Sequence, residues 1–191
     1  MRIARTLIVL GAFLVPGIGL AGPAGSAIAE YLGVPEQIRS SLEQLITRLE
    51  PENARAAEVI RKSSKYMYRE EVVAKAAAIF EGQLTSEEIQ TFTAFMATPL
   101  GQRLRQTFRS NLTHESFETG LAAYPESDIH ELNRFLTSPA ATKVFSTLPS
   151  AEWQKPWRAY GELMTCRYFE QEQPRLLLTV RQRGKCVGLA Y

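Results

Sequence analysis

The chain has 191 residues, 45% of them hydrophobic and 22% charged, a profile that excludes a disordered, low-hydrophobicity protein and allows one sizeable core. Its net charge is +2, but Arg2 and Arg5 lie ahead of the first acidic residue, Glu30, in a segment expected to be removed. Without them the charge balances, so no global attraction to nucleic acid or anionic lipid is expected.

That first segment has the grammar of an export signal. Arg2 and Arg5 form a basic start, and Thr6 to Val15 is an apolar run broken by Pro16-Gly17. Ala27-Ile28-Ala29 is an A-x-A cleavage signature, and Gly19-Leu20-Ala21 is an earlier possible cut. The run is too short for a membrane span, and no later segment approaches that length. No cysteine stands near the cut, which excludes a lipid anchor there. The expected organisation is a signal peptide over 1–29, removed near Ala29 or Ala21, and a periplasmic helical domain over 30–191.

Residues 34–82 are expected to form N-terminal helices. Val34, Ile38, Leu42, Leu45 and Leu49 recur every three or four residues, with Pro35 in the first turn and Pro51 as the stop. A second helix opens near Glu52 and carries Ala57 and Ile60, and the pattern lapses between Arg61 and Tyr68. Val73, Ala76 or Ala77, and Phe80 restore it.

A first helix–corner–helix unit is expected over 84–123. Thr85 is an N-cap, and Glu88 three residues later completes a capping box. Ile89, Phe92, Phe95 and Met96 make the buried face. Thr98 then caps a new helix whose first residue is Pro99, and Leu100, Leu104, Phe108 and Leu112 continue it. Gly101 is unexpected in a first turn, because glycine costs a helix about 1 kcal/mol; close approach of another helix would explain it. A second unit over 124–148 repeats the pattern: Ile129, Leu132, Phe135 and Leu136 are followed by Ser138-Pro139, Ala141 and Val144, with Asp128 in the place of Glu88. Leu148-Pro149-Ser150-Ala151-Glu152-Trp153 echoes its opening a third time. The fold class expected is therefore all-α, a bundle with two related units packed through their Phe and Leu faces.

The final helix is expected over about 150–171, ending before Pro174. Leu176 to Val180 is short, apolar and partly β-branched, and an extended tail is expected there. Cys166 and Cys186 form an even pair with no C-x-x-C spacing, so a structural disulfide is expected, contributing about 3 kcal/mol.

The words Leu84 to Ile89 and Phe95 to Arg103 resemble the core signature of a bacterial family catalogued as domain of unknown function 2059. The second unit, Ile129 to Val144, keeps Phe135, Ser138 and Pro139 but lacks the glycine and glutamine. The resemblance implies an exported helical protein of Gram-negative envelopes, and it brings no activity, cofactor or catalytic residue.

Little here suggests catalysis. His114 and His130 have no partner at a ligand spacing, so no metal or other cofactor is expected. Glu87 and Glu88 are explained by capping and the helix dipole. No nucleophile elbow, phosphate loop or H-E-x-x-H occurs. Candidate docking residues are the cations Arg103, Arg105 and Arg109, the stripe Trp153, Trp157 and Tyr160, whose default role is core packing, and the basic tail with Arg181, Arg183 and Lys185. The expected function is a non-enzymatic interaction or accessory module with an envelope protein as partner. The alternative is a carrier of a small apolar ligand held between the two units, and an envelope hydrolase is a remote third.

Overall fold

A computed structural model describes residues 23–110, 124–182 and 184–186. Among them there are ten α-helices and no strand, in agreement with the all-α expectation. In chain order they are α1 (Pro23–Tyr31), α2 (Val34–Leu49), α3 (Ala54–Ser63), α4 (Arg69–Gln83), α5 (Ser86–Ala97), α6 (Pro99–Ser110), α7 (Glu126–Leu136), α8 (Pro139–Thr147), α9 (Ala151–Glu172) and α10 (Pro174–Gln182). A 3₁₀ turn, Ser64–Tyr66, links α3 to α4 where the helical pattern lapses.

The centre of the molecule is α4. It is covered by α1, α2, α8 and α9, while α1 and α8 also pack on α5. Val72, Ala76, Ala77 and Phe80 are its buried residues, so the register starts at Val72 and Val73 is only half-buried. Small residues at 76 and 77 let neighbouring backbones come close. Gly25 of α1 uses that space: a Cβ there would lie 2.8 Å from the Ala77 carbonyl oxygen.

One expectation meets a feature of the fold, and a second is corrected. The expected boundary between residues 29 and 30 falls inside α1, and Ile28, Ala29 and Leu32 of that region are 0%, 0% and 1% exposed in the main core. The expected extended tail is instead the helix α10. Pro174 starts it, Leu177 buries against Tyr168 and Phe169 of α9, and Leu178 stays 62% exposed. A short apolar run fits a strand or a helix equally well by pattern, and the contact with α9 decides for the helix.

The corners behave as their residues suggest. Thr98 Oγ1 accepts the Gly101 N–H at 3.0 Å, and the Thr98 N–H donates to the Phe95 carbonyl at 2.9 Å. Ser138 makes the same pair of bonds, from the Ala141 N–H at 3.3 Å and to the Phe135 carbonyl at 2.9 Å. Ser150 does so a third time, with Trp153 and Thr147. The first corner is the tightest. A Cβ on Gly101 would lie 2.1 Å from the Phe95 carbonyl oxygen and 2.6 Å from Met96 Cα, so the close approach is by the last turn of α5. At the second corner Thr137 separates α7 from Ser138, and Ala141 is fully buried with its methyl accommodated.

Across the two units the contacts are reciprocal. Phe95 stacks on Phe135, with ring centroids 3.7 Å apart and planes at 8°. Glu88 of α5 pairs with Lys143 of α8 at 2.6 Å, and Arg103 of α6 pairs with Asp128 of α7. Residues forty apart in sequence, Glu88 and Asp128, and Arg103 and Lys143, thus pair across the two segments.

Candidate functional site

A polar cluster joins α4 to α9. Arg167 donates two hydrogen bonds to the Glu71 carboxylate, at 2.7 and 2.8 Å, and its guanidinium lies 5.1 Å from the Tyr68 ring centroid. The Arg167 guanidinium, ahead of other causes, holds the Glu71 carboxyl below its ordinary range. Tyr160, 2% exposed, accepts the Tyr68 N–H at 3.0 Å. Burial pushes its phenol up to about 12. The cluster fastens the start of α4, whose N-cap residue Tyr68 provides no side-chain cap. Its members are hydrogen-bonded to one another.

The larger opening lies elsewhere. A groove of about 580 Å³ runs between α2 and α3 on one side and α9 and α10 on the other. Its floor is apolar: Leu42 and Leu45 of α2, Ile60 of α3, Met164 and Phe169 of α9, and Val180 of α10. One end is walled by the Cys166–Cys186 disulfide, whose Cα atoms are 5.6 Å apart. Closing the loop brings Lys185 to the rim, where Arg158 and Glu162 of α9 also stand. Arg158 and Lys185 take part in no ion pair among the described residues.

Two features mark the groove as more than a packing defect. Ser63 is among the residues that line it; the residue is 3% exposed, and its buried hydroxyl oxygen has no hydrogen-bond partner among the described residues. Burying a hydroxyl without a partner costs about 1–3 kcal/mol, so such a group is normally answered by something. The second feature is Gly161, where a Cβ would meet nothing within 4 Å. A helical glycine with free space opposite it widens the groove at the expense of helix propensity.

The sequence-derived candidates are dispersed rather than gathered on one face. Trp153, Trp157 and Tyr160 form a chain of ring contacts running from Phe80 at 5.5, 5.2 and 6.5 Å, and they pack in the core. Arg103 is held by Asp128 and lies over the Tyr124 ring, and Arg105 lies over Tyr31. Arg181 stands 3.8 Å from Glu170. Of the candidate docking residues whose side chains are described, only Lys185 lines the groove, together with both cysteines. Capping residues Thr85 and Glu88 form their capping box. His130 is exposed on α7, and among the described residues no three His, Cys, Asp or Glu side chains are grouped to hold a metal. His114, the Arg109 side chain, Phe108, Leu112 and Arg183 fall outside the described side chains. No described helix is long and apolar enough to cross a membrane.

Sequence reasoning missed Ser63 and Gly161. Neither has a motif around it; what singles them out is the vacancy each faces, which only the assembled helices create. Where the two corner units meet, Phe92, Phe95 and Phe135 are in ring contact, and an open volume lies beside the disulfide.

No protein-family model, curated protein or solved structure matches the chain. The resemblance to domain of unknown function 2059 therefore rests on Leu84 to Arg103 alone.

Proposed function

We propose that this is an exported, periplasmic helical protein of the domain of unknown function 2059 type, without enzymatic activity, whose groove beside the disulfide carries a small amphiphile. The occupant we favour is a single-chain fatty acid. Its hydrocarbon chain would lie along Leu42, Leu45, Met164 and Phe169, and its carboxylate would meet Arg158 and Lys185 at the rim. The observation that carries this reading is an apolar groove containing a buried hydroxyl with no partner, within the roughly 300–1,000 Å³ range of small-molecule sites. An apolar chain gains from leaving water in proportion to the area covered, and Arg158 and Lys185 against the single carboxylate of Glu162 leave the rim net positive, which favours an anionic head.

The export component rests on the basic-apolar-small leader and on a disulfide, a bond that persists in oxidising compartments. The accessory-module reading keeps its place for the rest of the surface, with an envelope protein as the partner.

Native mass spectrometry of the freshly purified protein, before and after incubation with palmitate, tests the carrier. A bound mass of fatty-acid size, displaced by palmitate and missing from Gly161→Leu, is expected. Absence of any adduct with excess palmitate, or equal binding by Gly161→Leu, overturns it.

A further inference from the structure

The leader offers two small-residue cleavage sites, after Ala21 and after Ala29, and the fold treats them very differently. A cut after Ala29 would discard Pro23 to Ala29, most of α1. Ile28 and Ala29 are among the least exposed residues in the protein and share one core with Ala76 and Phe80 of α4 and Phe92 of α5. The Gly25 N–H also donates to Glu81 Oε1 at 3.2 Å. Losing that helix would bare the small-residue face of α4 that Gly25 fits so closely. It would also place a new ammonium on Glu30, the residue whose carboxylate pairs with Arg69. The same cut would expose an apolar helix face beside that altered charge.

We propose that the leader is removed after Ala21, so that the mature chain begins at Gly22 and keeps the whole of α1. Water adds to the Ala21 carbonyl carbon, the Ala21–Gly22 C–N bond breaks, and the proton balance leaves a carboxylate on Ala21 and an ammonium on Gly22. The catalyst is a membrane leader endopeptidase, for which Gly19 and Ala21 provide the small residues at the third and first positions before the cut. Residues 22–29 contain no charged side chain, so the mature protein is charge-balanced whichever site is used. What differs is whether α4 and α5 are covered.

The inference rests on the export reading, and one experiment separates the two. The full-length chain is produced in a Gram-negative host, and the intact mass and N-terminal sequence of the periplasmic product are determined. A product starting at Gly22 is expected. A product starting at Glu30 overturns the processing site and leaves export standing. An uncut precursor retained in the cytosol overturns both. The variant Ala21→Leu sharpens the result: it should abolish the normal product and accumulate precursor, whereas an unchanged product starting at Glu30 from this variant also overturns the inference.

Discussion

The corner units and the groove are built from the same helices-and-leucines vocabulary, yet they finish differently. Between α5–α6 and α7–α8 the aromatic faces answer one another, Phe95 by Phe135 and Phe92 by Phe135 and Phe145, although Ile129, expected on the buried face of α7, is 36% exposed. Two first-turn carboxylates, Glu88 and Asp128, are each answered by a cation of the other unit. In the groove, α2 and α3 face α9 and α10 without closing, a hydroxyl is buried alone, and the helices are linked covalently at one end. The contrast teaches where the chain is self-sufficient. The corner units complete their own contacts, while the groove, one of whose walls is fastened by the cross-link, leaves room for something else.

The sharpest way to break the self-sufficient half is Gly101→Leu. The first added carbon would already lie inside the van der Waals radius of the Phe95 carbonyl, and backbone cannot step aside as a flexible side chain can. A loss of about 3 kcal/mol or more is expected, at the severe end for an overpacked site. Its counterpart Ala141→Gly should lose only about 1 kcal/mol, through helix propensity and a lost methyl. Thermal or urea unfolding of both checks the comparison; equal effects would show that the two corners are equally tight.

Next in size is the cross-link. Cys166 and Cys186 are 20 residues apart, and replacing both with alanine should cost about 3 kcal/mol in the chain-entropy account. The loss should come with a specific signature. Amides of α10 and Lys185 should exchange faster with solvent, while those of α5 and α8 should keep their protection relative to the global stability. Uniform acceleration across the chain would mean that the groove and the corner units unfold as one.

The two regions were also unequally legible in the sequence. The corners announce themselves because their determinants are local: Thr85 and Glu88 cap within one turn, and Thr98-Pro99 and Ser138-Pro139 each set a start and a direction within two residues. Phe135 could be marked as buried from spacing and Phe95, which is half-buried, as apolar-facing, although their stacking on one another could not. The groove is legible only in part. The Cys166–Cys186 pairing follows from there being two cysteines, but the helix over 174–182 is decided by Tyr168 and Phe169, remote partners that a window cannot see. Ser63 is an ordinary serine near a helix end until α9 lies over it. At the other terminus, small residues that satisfy a protease also satisfy close helix packing, so Ala27-Ile28-Ala29 fits both roles by pattern.

A third test bears on the seam between the regions, where Tyr160 of α9 is bonded to the start of α4. Its phenol has a folded-state value of about 12, above the ordinary value of roughly 10. Between those values the unfolded chain loses the proton first, so the folded state binds more protons and stability falls as pH rises. The contribution is whole below about pH 10 and disappears as pH approaches 12. Urea midpoints across pH 9–12 should decline more steeply for the native protein than for Tyr160→Phe. Parallel declines would show that Tyr160 is no more protected from ionisation folded than unfolded.

The smallest expected change in stability tests the largest claim about the groove. Gly161→Leu adds a side chain at a helical position where nothing lies within 4 Å, so overpacking is not expected. Replacing a helical glycine with leucine should stabilise by up to about 1 kcal/mol. If the open space served only as a tolerated flaw, filling it would be a gain with no loss attached. If it serves a ligand, the same substitution must remove binding while the protein becomes more stable. Those opposite signs in a melting curve and a palmitate titration are hard to obtain by damaging the fold. A stabilised variant that still binds palmitate as the native chain does would move the ligand site away from the disulfide groove.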